Sequence, residues 1–332
     1  MRWIILTEYY LLIRQRKSAK FRVKKSISEK IIFIGTPDFA VFYLNALFEA
    51  GFKIAAVLTN PDRKVGKSIE ETPVKKWAKD QNIKVFDPVQ VKDVLDETGQ
   101  IGARVGIMAY YGKILPKEFL ALFPRGVINV HHSLLPRWRG PAPIQASLLA
   151  GDKMTGVTLL ATEEKVDSGD ILARREVEIS DSDNYIDLEK KLTLIGASLL
   201  LQTMPKYLSG EIRPEKQDDS KASYCRRIST EDAKIDWEKP AQVVHNQIRA
   251  LNPNPGTYTF WNNKRLLILS ARLETGEHKL KPGTVLLSDG GFKIAAEGGF
   301  IKPLIVKLEG KKETGARDFI LGNRNIVGSV LN

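Results

Sequence analysis

Residues 31–58 have the sequence IIFIGTPDFAVFYLNALFEAGFKIAAVL, and this stretch decides the fold class. Its four opening apolar residues, Ile31–Ile34, predict a buried strand that ends in a Gly-Thr-Pro turn. Apolar side chains from Phe39 to Ala50 recur at helical spacing, and a glycine follows them as a C-terminal cap. The next apolar run, Lys53–Leu58, predicts a second strand. Strand, helix and strand together form a β-α-β unit, which requires a parallel sheet.

The same alternation of strands and helices continues to residue 210. It predicts an α/β fold with a Rossmann-like, doubly wound and mostly parallel sheet over residues 30–210. The further predicted strands are Lys84–Phe86, Val105–Ala109, Val127–His131, Gly156–Thr162 and Ile171–Ile179. The further predicted helices are Pro73–Gln81, Val91–Thr98, Leu115–Phe123, Ala142–Ala150 and Asp187–Leu208.

The pattern changes after residue 210. Residues 211–225 are polar and contain proline, which predicts a linker. Over residues 226–326 a helix, Ala241–Ala250, precedes short strands at regular spacing, with Gly and Asn between them. This pattern predicts a small C-terminal β-barrel of the OB-like kind. Its predicted strands are Thr257–Trp261, Arg265–Ala271, Gly283–Leu287, Phe292–Ala296 and Ile301–Leu308.

The first 29 residues differ from the rest of the chain. Residues 1–30 carry nine Lys or Arg and two Glu, so they hold +7 of the formal net charge of +12. Their basic part follows their apolar part, the reverse of a secretory signal. We interpret residues 1–29 as a basic extension outside the fold or, alternatively, as an organelle transit peptide. We therefore expect a cytoplasmic protein of bacterial type, or an organellar one if the transit interpretation holds.

Composition excludes several classes of site. No apolar run approaches the ~20 residues that a membrane span needs, so we expect no membrane partner. The single cysteine, Cys225, excludes an internal disulfide and a thiolate metal cluster. With only four histidines, a structural zinc site is not expected either. Outside residues 1–30 the chain is only modestly basic, so charge alone gives weak support for a nucleic-acid partner.

Reactive side chains cluster at the end of the predicted strand Val127–His131. A spacing of two places Asn129 and His131 on one face of a strand, and ligands bind beyond the carboxyl ends of parallel strands. When an amine adds to a carbonyl, an amide can donate to the oxyanion and an imidazole can move a proton. A carboxylate that orients the imidazole is available from Asp167 or Asp170, on a later glycine-containing loop.

The motifs around these residues resemble those of the folate-dependent formyltransferases. The pattern Asn-x-His-x-Ser-Leu-Leu-Pro occupies residues 129–136, and an Asp-x-Gly loop follows at 167–169. Gly35–Ala40 and Arg137–Gln145 resemble the branch of the family that acts on tRNA, and the resemblance covers residues 30 to 324. It implies a formyltransferase fold and transfer of a formyl group to the amine of methionine on initiator tRNA, for translation initiation.

The resemblance also implies roles for individual residues. Asn129, His131 and Asp167 correspond to the family's catalytic residues, and 10-formyltetrahydrofolate is the implied formyl donor. The family's folate-binding loop corresponds to Ser133, Leu134, Leu135 and Pro136. No metal is implied. The C-terminal barrel corresponds to a tRNA-binding domain, which makes the acceptor arm of methionyl-tRNA the implied partner of a monomeric enzyme.

Contacts with tRNA are the less specific part of this expectation. The loop Asp62–Val74 is short and contains two glutamates, whereas the family's loop is longer and rich in Arg, Lys and Gly. Acidic side chains oppose phosphate binding. We nevertheless predict tRNA contacts from four basic residues: Arg63, Lys64, Lys67 and Arg139.

One ambiguity, at His132, and three alternative functions bear on the prediction. His132 follows the predicted catalytic histidine, and strand alternation sends it to the opposite face, as a packing or surface residue. A sugar-nucleotide N-formyltransferase would share the donor and the catalytic residues, and an inactive tRNA-binding homologue would share the fold. An NAD-dependent enzyme is disfavoured because no Gly-x-Gly-x-x-Gly follows the first strand.

Overall fold

The computed structural model describes residues 29–66 and 68–332. Strands β1 (Lys30–Ile34) and β2 (Lys53–Leu58) flank helix α1 (Asp38–Glu49) and pair in parallel, as predicted. Gly35 follows β1, and a Cβ at this position would lie 2.6 Å from the carbonyl oxygen of Ala109. Only glycine therefore lets this first turn approach the neighbouring strand so closely.

Seven strands form the main sheet, in the order β5-β2-β1-β6-β7-β8-β9. β1 pairs in parallel with β2 and β6, β2 pairs in parallel with β5, and β8 and β9 are antiparallel. This order confirms the predicted Rossmann-like, mostly parallel sheet. The remaining strands are β5 (Lys84–Phe86), β6 (Val105–Met108), β7 (Val127–His131), β8 (Met154–Ala161) and β9 (Ile171–Glu178).

Helices occur where the sequence predicted them, but two are shorter. The predicted helix 91–98 is a 3₁₀ turn, Val91–Val94, followed by an α-helix. The helix predicted over residues 115–123 contains only four residues. Leu115 and Phe123 lie outside this helix but are buried in the core, so their apolar spacing reflects core packing. The helices of this part are α2 (Pro73–Asp80), α3 (Leu95–Ile101), α4 (Lys117–Leu120), α5 (Pro143–Leu149) and α6 (Tyr185–Leu208).

The segment predicted to be a loop at residues 62–74 contains a β-hairpin. Its strands are β3 (Arg63–Val65) and β4 (Ser68–Glu70), which pair antiparallel. The base of the hairpin is fixed by Lys75, whose Nζ lies 2.7 Å from carboxylate oxygens of both Asp62 and Asp87. These two bonds raise the pKa of Lys75, so the ion pairs persist at neutral pH.

The C-terminal part is an antiparallel sheet in the order β10-β11-β14-β13-β12, with β15 paired to β14. The predicted helix is present as α7 (Ala241–Leu251) and packs against this sheet. A short helix, α8 (Ala316–Gly322), was not predicted. The strands are β10 (Tyr258–Trp261), β11 (Lys264–Thr275), β12 (Val285–Ser288), β13 (Gly291–Ala296), β14 (Gly299–Leu308) and β15 (Thr314–Gly315).

The final residues close this sheet into the predicted barrel. On one edge, the backbone N–H of Val285 donates to Ser329, at 2.9 Å. On the other edge, the N–H of Phe260 donates to Asn332, also at 2.9 Å. Because the tail bonds to both edge strands, it covers part of each edge of the sheet.

By internal contacts the chain divides into two compact units. One contains the residues up to Ile128 together with Leu200–Arg213, and the other contains Asn129–Leu199 with Pro214–Asn332. The predicted boundaries at 210 and 226 remain a prediction. The predicted extension 1–29 lies outside the described residues except for Glu29. No helix in the described part of the chain is long and apolar enough to cross a membrane.

Candidate active site

The structure brings Asn129, His131 and Asp167 together. The first two lie on β7 two residues apart, so both side chains leave the same face of the strand. Nδ2 of Asn129 donates to Oδ1 of Asp167 at 3.1 Å, and Nδ1 of His131 lies 3.5 Å from Oδ2 of the same carboxylate. The Asp167 carboxylate therefore faces Asn129 with Oδ1 and His131 with Oδ2.

Asp167 is the carboxylate that the fold selects from the loop between β8 and β9. Its side chain is 11% exposed, and its backbone has φ = 51°, in the left-handed region that non-glycine residues seldom adopt. A third donor, the N–H of Gly140, lies 2.9 Å from Oδ2. These contacts fix the orientation of the carboxylate.

The imidazole of His131 is fixed at both nitrogens. Its Nε2 lies 2.9 Å from the carbonyl oxygen of Trp138, while Nδ1 faces Asp167. A ring that is protonated on both nitrogens can donate to both acceptors. Trp138 itself has φ = 61°, unusual for so bulky a residue, and its N–H donates to Oγ of Ser223 at 3.0 Å. The contact between the ring and Trp138 is thus built into a constrained segment.

His132 is a packing residue, one of the two roles predicted for it. Its side chain is buried, and burial, with a smaller contribution from the charge of His131, lowers its pKa from 6.5 to about 3. It is therefore neutral at physiological pH.

Two residues of the predicted folate loop support the loop from inside. Ser133 and Leu135 are buried, and Oγ1 of Thr158 links their backbones, donating to the carbonyl of Ser133 at 2.7 Å and accepting from the N–H of Leu135 at 3.2 Å. The side chain of Leu135 packs against Leu160 and Ile171. The partly exposed residues of this loop, Leu134 and Pro136, are the ones that remain accessible to a ligand.

The basic residues predicted to contact tRNA differ in their surroundings. Arg63 and Lys64 are exposed on the hairpin, while Lys67 lies outside the described residues. Arg139 is fully buried, and its guanidinium donates to Gln217 and Asp219. The guanidinium of Arg139 is already bonded to these two partners, so its predicted phosphate contact gains no support and stays a prediction.

Sequence reasoning missed the groups that surround the catalytic candidates. The N–H of Gly140 and the carbonyl of Trp138 act through the backbone, so their residue types carry no chemical signal. Gly140 has φ = 121°, and a Cβ there would lie 2.2 Å from the carbonyl oxygen of Cys225, which explains the glycine. Among the described residues, no group of three or more His, Cys, Asp or Glu is arranged to hold a metal ion.

Two regions of the chain match known families. Residues 29–204 match the formyl transferase family, and residues 227–324 match its C-terminal domain. A methionyl-tRNA formyltransferase of Coxiella burnetii is 40% identical over 299 residues, which are 89% of this chain and 95% of that protein. The enzyme of the same name from Halalkalibacterium halodurans is 41% identical over 310 residues, 91% of this chain and 98% of that protein.

Solved structures share the fold at low sequence identity. An N-formyltransferase from Helicobacter canadensis, in complex with folinic acid and dTDP-3-aminofucose, has a TM-score of 0.65 at 21% identity and covers 83% of this chain and 99% of its own. HypX from Aquifex aeolicus, in complex with tetrahydrofolic acid, has a TM-score of 0.63 at 18% identity, over 88% of this chain and 47% of its own.

Proposed function

The chain belongs to the methionyl-tRNA formyltransferase family, and we propose that Asn129, His131 and Asp167 form its catalytic centre. Its activity is the transfer of a formyl group to the α-amino group of methionine carried on tRNA. We propose 10-formyltetrahydrofolate as the donor, because structural neighbours of this fold were solved with folates.

The observation that best supports this catalytic centre is that the two oxygens of the Asp167 carboxylate face two different side chains, Asn129 and His131. Because Asp167 accepts from the Asn129 amide and faces the His131 ring, both side chains are held in fixed orientations before a substrate arrives. Fixed donors stabilise developing negative charge without reorganising during the reaction. Addition of an amine to a formyl carbonyl develops such a charge on the carbonyl oxygen.

In the proposed reaction the neutral amine attacks the formyl carbon. The Asn129 amide nitrogen has a second hydrogen besides the one that Asp167 accepts, and this hydrogen donates to the oxyanion. The His131 ring, held by Asp167 and Trp138, leaves the same face of β7 as Asn129, and we propose that it helps to stabilise the same oxyanion. When the tetrahedral intermediate collapses, the bond between the formyl carbon and the folate nitrogen breaks, and that nitrogen takes the proton that the attacking amine loses. Nε2 of His131 is bonded to a backbone carbonyl, so we route this proton through water and not through the ring.

The donor is proposed to lie over the loop Ser133–Pro136, as the family resemblance implies. Leu134 and Pro136 supply apolar surface for a flat ring system, while the buried Ser133 and Leu135 fix the conformation of the loop. Thr158 supports the loop from β8. Deleting that hydroxyl should therefore weaken donor binding without removing a group that touches the donor.

The family resemblance implies a tRNA contact for the C-terminal barrel. Independently of that contact, the acceptor arm of tRNA is proposed to meet the hairpin. Arg63 and Lys64 are exposed cations there, and the ion pair of Glu71 with Lys79 reduces the repulsion that a free glutamate would exert on phosphates. The catalytic trio comes from one chain, so a monomer suffices. We place the reaction in the cytoplasm, where bacterial translation begins.

One assay tests the acceptor. Purified full-length protein is given labelled 10-formyltetrahydrofolate with methionyl-tRNA, and in parallel with an amino-sugar nucleotide. We expect label on methionyl-tRNA only, and loss of labelling in His131→Ala. Label on the sugar nucleotide alone would overturn the assignment, and an equal rate for His131→Ala would remove that residue from the proposed centre.

A further inference from the structure

The backbone of the Asp167 loop is held by a side chain from the segment predicted to be a linker. Nε2 of Gln217 donates to the carbonyl oxygens of Asp167, at 2.9 Å, and Gly169, at 2.7 Å. An amide nitrogen carries two hydrogens, so it can make both bonds at once. One side chain thus holds two backbone carbonyl groups of the loop, those of the residues before and after Ser168.

Arg139 determines which way the Gln217 amide points. Its Nε and Nη2 lie 3.1 and 2.8 Å from Oε1 of Gln217. A guanidinium has only donors, so the amide oxygen must face it, and the amide nitrogen must face the loop. The buried charge of Arg139 is balanced by Asp219, whose carboxylate lies 2.7 Å from Nη2.

The loop needs such support because its conformation is unfavourable by itself. Asp167 has a left-handed backbone, a state that persists only where the surroundings fix it. Two residues later, Gly169 packs so tightly that a Cβ would lie 1.8 Å from the carbonyl oxygen of Ala161. The loop is thus fixed at Gly169 by close packing and between Asp167 and Gly169 by Gln217.

We propose that Gln217, oriented by Arg139, is a positioning residue for the catalytic carboxylate. It acts through Asp167, whose carboxylate it keeps in place between Asn129 and His131. The inference rests on the proposed function, in which those three residues catalyse formyl transfer.

This role gives the connecting segment a part in catalysis. Gln217 lies between the two regions that match the family, residues 29–204 and 227–324. The segment also forms backbone bridges at Glu215, with Ile171, and at Tyr224, with Arg139. Its position against the catalytic loop is therefore fixed on both sides of Gln217.

The first test replaces Gln217 by a side chain of similar length that donates to neither carbonyl. In Gln217→Met the loop loses both bonds, and we expect kcat to fall by about 10- to 100-fold, as when an outer partner of a catalytic group is removed. KM for methionyl-tRNA and for the donor should stay unchanged, because Gln217 belongs to neither of the proposed binding surfaces. The matched control is Glu215→Met, in which an exposed side chain two residues away is replaced.

A double-mutant cycle separates positioning from a general structural role. Single-turnover rates are measured for Gln217→Met, Asp167→Asn and the double variant. If Gln217 acts through Asp167, its replacement has its full effect in the wild type and almost none in Asp167→Asn. An equal loss in both backgrounds would overturn the inference. A near-normal rate for Asp167→Asn would instead contradict the proposed catalytic centre, so the two failures are distinguishable.

A second variant keeps the test decisive if Gln217→Met does not fold. Gln217→Glu retains the oxygen that faces Arg139 and places another oxygen against the two carbonyl oxygens. Folding is checked by cooperative thermal melting and by tRNA affinity. We expect the same loss of kcat and the same dependence on Asp167. A folded variant of either kind with wild-type kcat would overturn the proposal.

Discussion

Replacing Asn129 by aspartate tests the centre of the proposed mechanism with almost no change in shape. The amide nitrogen that now donates to Asp167 lies 3.1 Å from its acceptor. Two negative charges at that separation repel by about 5 kcal/mol at an effective dielectric constant of about 20. Repulsion of this size is relieved when the two carboxyls share one proton near neutral pH.

The substitution also removes the hydrogen-bond donor that catalysis needs, and the shared proton does not restore it. This proton lies between the two carboxyls of Asn129→Asp, and an oxygen lone pair replaces the N–H that faced the formyl oxygen. Loss of one oxyanion donor slows a reaction by about 100- to 1000-fold. We expect at least that loss in kcat, and a further decline as pH rises and the shared proton is lost.

The assay is single-turnover transfer of labelled formyl groups to methionyl-tRNA, with enzyme in excess. Asn129→Ala is the matched control, because it removes the donor without adding charge and should lack the additional decline at high pH. Both variants must melt cooperatively, as the wild type does. A rate for Asn129→Asp within about tenfold of the wild type would refute the reasoning, since a well-placed donor accounts for more than that.

Three further predictions concern the loop, the buried histidine and the hairpin. Gly169→Ala places a Cβ 1.8 Å from the carbonyl oxygen of Ala161, so the loop must move by more than about 1 Å, and kcat should fall by about 100-fold. Burial lowers the pKa of His132 from 6.5 to about 3. Between these two pH values the unfolded chain binds a proton at His132 and the folded chain does not. The free energy of unfolding is therefore retained above pH 6.5 and decreases as pH falls below it, by up to about 1.4 kcal/mol per pH unit. In urea unfolding, His132→Gln should show a weaker dependence of this free energy on pH. Arg63→Ala combined with Lys64→Ala should raise KM for methionyl-tRNA with kcat unchanged, and should reduce the salt dependence of tRNA binding.

Each of these predictions has a control or a contradicting result. Gly276→Ala is the control for the loop, because a Cβ there meets no atom within 4 Å. An equal slope of stability against pH in wild type and His132→Gln would contradict the assignment of the neutral buried ring. For the hairpin, an unchanged KM and an unchanged salt dependence would show that its cations do not meet phosphates.

Periodic features were predictable from the sequence because they depend on many side chains at once. The apolar runs that form β1 and β2, and the spacing of two between Asn129 and His131, led to the observed sheet and to the shared face. The helix predicted from Leu115 to Phe123 was too long, since both ends pack in the core without being helical. A core residue has the same apolar signature in a helix and in a turn.

Features that depend on a single long-range partner were not predictable. Arginine is usually exposed, so nothing in the sequence indicated that Arg139 is fully buried. Gln217 lies 50 positions after Asp167 in the chain, within a polar stretch without periodicity. Its role depends on where the fold places it, and a hydrogen bond between distant residues leaves no local pattern.

The backbone bridges at Glu215 and Tyr224 change how the protein should be dissected. A truncated catalytic fragment that stops at residue 210 would look natural from the sequence, yet it would leave out Gln217 and both bridges. Limited proteolysis inside this interval would likewise disable the enzyme instead of releasing two autonomous parts. Because Asn129–Leu199 and Pro214–Asn332 form one compact unit, fragments, fusions and split reporters should keep residues 211–226 joined to the chain on both sides.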